Sequence, residues 1–167
     1  SIIVTNGPGN FTSIRVGVSF ALGIAKGICV PLYALSSLEL LSIFNEKNNF
    51  FNKKLISVMP SRGNEIFVQE FNDSCLSDSE ILKIKNLDLK KNFSPDKYFI
   101  SFCSFQKENL NLFDYDFVER EFEDMSLNLV SKVKKKKINL TELKSINYFS
   151  EPSLEKVNSS WLMKHKK

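Results

Sequence analysis

Residues 6–17, "NGPGNFTSIRVG", concentrate the features that could do chemistry. Two glycines flank a proline, a Thr-Ser pair follows, and Arg15 comes one helical turn later. A glycine-rich turn that opens a helix can aim backbone N–H groups at an anion, and Arg15 would add positive charge. The stretch is not a phosphate loop of the Gly-Lys-Ser/Thr type, because no lysine follows the glycines. Nor is it GxGxxG, because Thr12 stands where the third glycine belongs. A tight strand-to-helix turn that needs glycine dihedrals explains the same residues more simply.

The remaining chemistry is thin. The chain has 1 histidine, His165, among lysines near its end. A two-histidine metal site such as HExxH therefore cannot be assembled within the chain. A Ser-His-Asp triad would need that same residue, and a cysteine nucleophile would have no other imidazole as its base. Cys29 and Cys103 fall in apolar runs expected to be strands and are expected in the core. The paired carboxylates Glu119, Glu121, Glu123 and Asp124 fit a solvated helix face.

With 167 residues, 43% of them hydrophobic, the chain can bury one core, or one core and a small lobe. That composition is too apolar for a disordered chain. The net charge of +4 is too small for a nucleic-acid-binding fingerprint. Much of the excess lies in "KVKKKK" (132–137) and "MKHKK" (163–167), which read as a helix end and a frayed tail. Three cysteines without a CxxC pair, Cys75 being the third, suggest reduced thiols and a cytoplasmic location. No apolar run approaches the ~20 residues that span a membrane. The chain opens without Met inside an apparent strand, which suggests an N-terminal part outside this sequence.

Positioning elements follow from periodicity and punctuation. "SIIVT" (1–5) reads as a strand, and "FTSIRVGVSFALGIAKG" (11–27) as a helix capped by Asn10 or Thr12 and stopped at Gly27. "CVPLYALS" (29–36) reads as a second strand, and Ser36 or Ser37 caps a helix over 37–47. This order predicts a parallel βαβ unit. "LISVM" (55–59) and "EIFVQEF" (65–71) predict a hairpin turning at Arg62, Gly63 and Asn64. "KYFISFCSF" (97–105) is a further strand. Residues 116–137 read as a long helix, acidic at its start and basic at its end, and "INYFSEP" (146–152) as a short extended piece.

The first helix is apolar nearly all round. Ser13, Gly17, Ala21 and Ala25 form a stripe of small residues. Ile14, Val18 and Leu22 line one neighbouring face, and Val16, Phe20 and Ile24 another; only Arg15 and Lys26 are charged. A helix over one side of a sheet keeps a polar face for water, so this pattern predicts burial on two sides. The second cover is either a partner or chain that precedes Ser1.

"GPGNFTSIRVGVSFALGIAKGICVPLYALSSLELL" (7–41) resembles the signature of the TsaB (YeaZ) family, GPGSFTGLRIG followed by a small-residue helix and an IPLxxVSSLE strand. "LISVMPSRGNEIFVQEF" (55–71) resembles the family's strand–DARxxEVY–strand landmark, and "INYFSEP" its closing piece. The resemblance implies an α/β, actin-like ASKHA (ribonuclease H-like) two-lobe fold. Residues 1–48 would be the remainder of an N-terminal lobe incomplete at its start, and residues 49–167 the C-terminal lobe. It further implies a non-catalytic subunit that binds and activates the TsaD threonylcarbamoyltransferase in synthesis of N6-threonylcarbamoyladenosine at position 37 of tRNA.

Partners implied by the resemblance are a TsaD-type catalytic paralogue, a TsaE-type ATPase and, as an alternative, a second copy of the chain. Contact with tRNA would come only through the complex, and the chain would have no cofactor of its own, though a nucleotide at the TsaB–TsaD junction stays open. The interface expected on this basis comprises Gly7, Pro8, Gly9, Asn10, Phe11 and Thr12 in the turn, and Arg15, Gly17, Val18, Ala21, Leu22 and Ala25 on the helix. The sequence departs from the family at Asn10, Ser13, Ser61 and Pro60, the last standing where an aspartate is usual. Two other functions compete: a glycoprotease-like peptidase, and a nucleotide- or tRNA-binding module using the glycine turn and lysine runs.

Overall fold

The computed structural model describes residues 1–44, 54–61, 63–71, 80–85, 88–94, 97–102, 116–120, 129, 131, 133 and 140–143. The first four elements come in the expected order: β1 (Ile2–Thr5), α1 (Phe11–Gly27), β2 (Leu32–Leu35) and α2 (Ser37–Ile43). β1 and β2 are parallel, with Ile2 opposite Leu32 and Thr5 opposite Leu35. A two-residue strand, β8 (Thr141–Glu142), joins the far side of β2 antiparallel and completes a sheet ordered β1-β2-β8.

Local chemistry sets the helix ends. The Asn10 side chain accepts a hydrogen bond from the Ser13 N–H at 3.1 Å, which satisfies one of the free donors of the first turn of α1. At the other end the Ile28 N–H donates to the carbonyls of Ile24 and Lys26. Cys29 then takes a left-handed conformation, φ 54°, and is exposed. This corrects the expectation of a buried strand cysteine. Helix termination demands a left-handed residue here, Gly27 is still inside the helix, and the strand starts only at Leu32. In α2, Ser36 Oγ accepts from the Glu39 N–H at 3.0 Å and the Ser36 N–H donates to the Glu39 carboxylate at 2.7 Å, a reciprocal capping box.

The second sheet is ordered β5-β4-β3-β6-β7. β3 (Lys54–Pro60) and β4 (Glu65–Phe71) form the expected antiparallel hairpin, with Gly63 at φ 61° in its turn. β6 (Lys97–Phe102) runs parallel to β3, β5 (Leu82–Lys85) lines the outer side of β4, and the short α3 (Leu89–Asn92) lies between β5 and β6 in the chain. β7 (Asp116–Arg120) pairs parallel with β6, Phe99 opposite Phe117. The expected helix over 116–137 is therefore corrected at its start: these five residues complete a ladder with β6, and a neighbour of that kind is invisible to local periodicity. Leu129, Ser131 and Val133 are helical, as expected. The "INYFSEP" segment, Cys75, Cys103 and His165 lie outside the described residues.

Period-two alternation gives β3 two buried faces. Leu55 and Met59 join Leu38, Leu41, Ile43, Phe67, Phe71 and Tyr98 in the main core beneath α2, which also receives Ile3 and Leu35 from the first sheet. Ile56 and Val58 face the other way, toward Ile66, Val68, Leu89, Phe93 and Phe99. Three charges tie the middle strands together. Lys97 Nζ donates to Glu70 Oε2 at 2.7 Å and Lys54 Nζ lies 3.2 Å from Glu70 Oε1, joining β6, β4 and β3. Partial burial pushes the Glu70 carboxyl pKa up, but the bonds and charges of Lys97 and Lys54 outweigh it and hold the pKa below its ordinary value.

Two outcomes follow. Because the folded pKa of Glu70 is depressed, its stabilisation is full above the ordinary carboxylate range and is lost as pH falls through the folded value. Urea midpoints measured from pH 6 down to pH 3 should therefore fall less steeply for Glu70→Gln than for the wild type. Removal of the capping hydroxyl by Ser36→Ala should cost about 1 kcal/mol in urea unfolding.

Candidate functional site

The turn before α1 is packed into the fold. Asn6, Gly7 and Pro8 are buried, and Gly7 has φ 106°, a region that favours glycine. The Gly7–Pro8 peptide bond is cis. The Asn6 N–H donates to the Leu35 carbonyl at 3.1 Å, and the Gly7 carbonyl accepts from the Ser37 N–H at 2.7 Å, so the turn is pinned to the first turn of α2. A Cβ on Gly9 would meet Ile14 Cδ1 at 3.5 Å, an ordinary contact. At the mouth of α1 the Asn10 side-chain oxygen takes both the Ser13 N–H and, at 3.3 Å, its hydroxyl. An acceptor oxygen thus stands where an anion would have to approach. The guanidinium of Arg15 lies over the Phe11 ring, 4.8 Å from its centroid. These features match the turn reading of the motif, and no built anion site is visible in them.

The rotation of α1 about its axis decides what the helix can do. Val18, Ala21 and Ala25 are buried, and Leu22 packs beside them against Ile2, Val4, Leu32 and Leu143. The outward side carries Val16, Phe20 and Ile24, continued by Ile28 just beyond the helix, exposed by 65%, 71%, 41% and 61% respectively. Successive members are four residues apart, so the four make one stripe along the helix. Gly17 and Gly23 flank it, and a Cβ on either would meet nothing within 4 Å.

The interface residues expected from sequence therefore separate. Arg15, Gly17, Thr12 and Asn10 are exposed, and Phe11 and Gly9 half-buried. Gly7 and Pro8 are buried in the turn, Val18 is buried, and Ala21, Ala25 and much of Leu22 cover the chain's own sheet. Val16, Phe20 and Ile24, which the sequence places on a face of their own, are the ones the fold turns outward. The signal that could have picked them is size: alanines let a helix lie close to a sheet, so the bulkier side chains belong on the opposite side.

Among the described residues no three His, Cys, Asp or Glu side chains gather as they would around a metal ion. Glu119 is exposed on β7, and the other three carboxylates singled out in the sequence lie outside the described residues. Among the described residues, no helix is long and apolar enough to cross a membrane.

Two sheets with helices laid against them, and a glycine turn leading into an apolar helix, define a mixed α/β protein. Two solved structures share this fold. "YeaZ from Pseudomonas aeruginosa" superimposes with TM-score 0.56 over 84% of this chain and 70% of that one, at 14% identity. A second, described as an uncharacterized protein with similarity to peptidase YEAZ from Pseudomonas aeruginosa, gives TM-score 0.55 over 84% and 68%, at 13% identity. Residues 1–72 match the family described as "TsaD: tRNA N6-adenosine threonylcarbamoyltransferase". The tRNA threonylcarbamoyladenosine biosynthesis protein TsaB of Bacillus subtilis (strain 168) is 44% identical over 41 residues, 25% of this chain and 18% of that protein. The aligned stretch thus spans less than a fifth of that relative's length. The local sequence similarity is thus to a TsaB protein, and the shared fold is that of the YeaZ structures.

An arginine at position 21 would enter the chain's own core, whereas one at position 20 would stand in water. Ala21→Arg is expected to destabilise the fold by about 3 kcal/mol or more through overpacking and charge burial. Phe20→Arg should leave the thermal midpoint within about 2 °C of the wild type. Circular dichroism melts of the two variants check the assignment of faces.

Proposed function

We propose that the chain is a non-catalytic partner subunit that binds and activates a TsaD-type threonylcarbamoyltransferase in synthesis of N6-threonylcarbamoyladenosine at position 37 of tRNA. The observation that carries this reading is the exposed stripe Val16–Phe20–Ile24–Ile28 on α1. A contiguous apolar patch that stays exposed among the described residues is characteristic of a protein-binding surface. The likeness to TsaB supplies the partner's class. The scarcity of catalytic groups in the sequence, with a single histidine in the whole chain, supports docking over turnover. In this reading residues 1–48 and 49–167 belong to two lobes, a TsaE-type ATPase joins the pair, tRNA is met only within the complex, and the work is cytoplasmic.

The test is reconstitution with the TsaD-type subunit of the same organism. Wild-type chain should co-purify with it and raise threonylcarbamoyl transfer to tRNA above the level of the TsaD-type subunit alone. Phe20→Arg should weaken that association at least 30-fold, about 2 kcal/mol, as expected for a central aromatic anchor. Transfer by this chain in isolation, or full transfer without it, would overturn the proposal.

A further inference from the structure

We draw no further inference here: the strongest candidate, the apolar edge of β1 (Ile2–Thr5), which pairs with β2 alone among the described residues, carries nothing because nothing in the structure shows what covers it.

Discussion

The packing of two small side chains, Ala21 and Ala25, onto the β1–β2 surface, with Val18 buried beside them, fixes the rotation of α1, and every functional statement depends on that rotation. A helix with only two charges in five turns has no polar side to offer water. Whichever half meets the sheet, the other half is apolar and exposed. The alanines settle which half it is, because they bring the helix axis close to the sheet, where a phenylalanine would hold it off. Phe20 is outward as a consequence of what Ala21 does inward.

The turn and the second helix hold that rotation in place. Asn10 binds the Ser13 N–H in the first turn of α1 and sets where the helix begins, and the Gly7 carbonyl is anchored on the Ser37 N–H. α2 is in turn held by its capping box and by Leu38, Leu41 and Ile43 in the main core. The second sheet beneath it is stiffened by buried alternation on both faces of β3 and by the Lys54–Glu70–Lys97 bridge. The glycine-rich motif is thus a mechanical joint linking β1, α1 and α2. Its resemblance to an anion cradle is one of composition, and the Asn10 carboxamide occupies the mouth that an anion would need.

Much of this was readable from residues alone, and the failures are instructive. The β-hairpin, the parallel β1–α1–β2 unit and the caps at Asn10 and Ser36 rest on local signals that tertiary context did not override. The strand at 116–120 was misread because "DFVER" carries no signal that separates a strand from an acidic helix start, and its partner β6 is distant in sequence. β5 and β8 are too short to show a period, and the two lysines of "LKIK" disguise the first as loop. Cys29 looked like a strand residue because it sits in an apolar run, yet it is the left-handed stop of α1. Periodicity showed that α1 is apolar on every side, but it could not show which side the sheet takes. The small-residue stripe looked like a helix–helix contact, while half of it, Ala21 and Ala25, lies on β-strands.

The glycines of α1 strengthen the case that its outer face answers to something beyond this chain. Gly17 and Gly23 lie in the helix interior, where each costs about 1 kcal/mol relative to alanine. Neither is needed for a left-handed backbone, and an added methyl at either would meet no other element within 4 Å among the described residues. The isolated fold would therefore be more stable by about 2 kcal/mol with alanine at both positions. The same is true in kind of Phe20 and Val16, whose exposure contributes nothing to the core. Residues that weaken the monomer, and that cluster on one side of one helix, are accounted for when another backbone lies close over them. That economy, more than any single contact, separates a docking helix from a helix that merely covers a sheet.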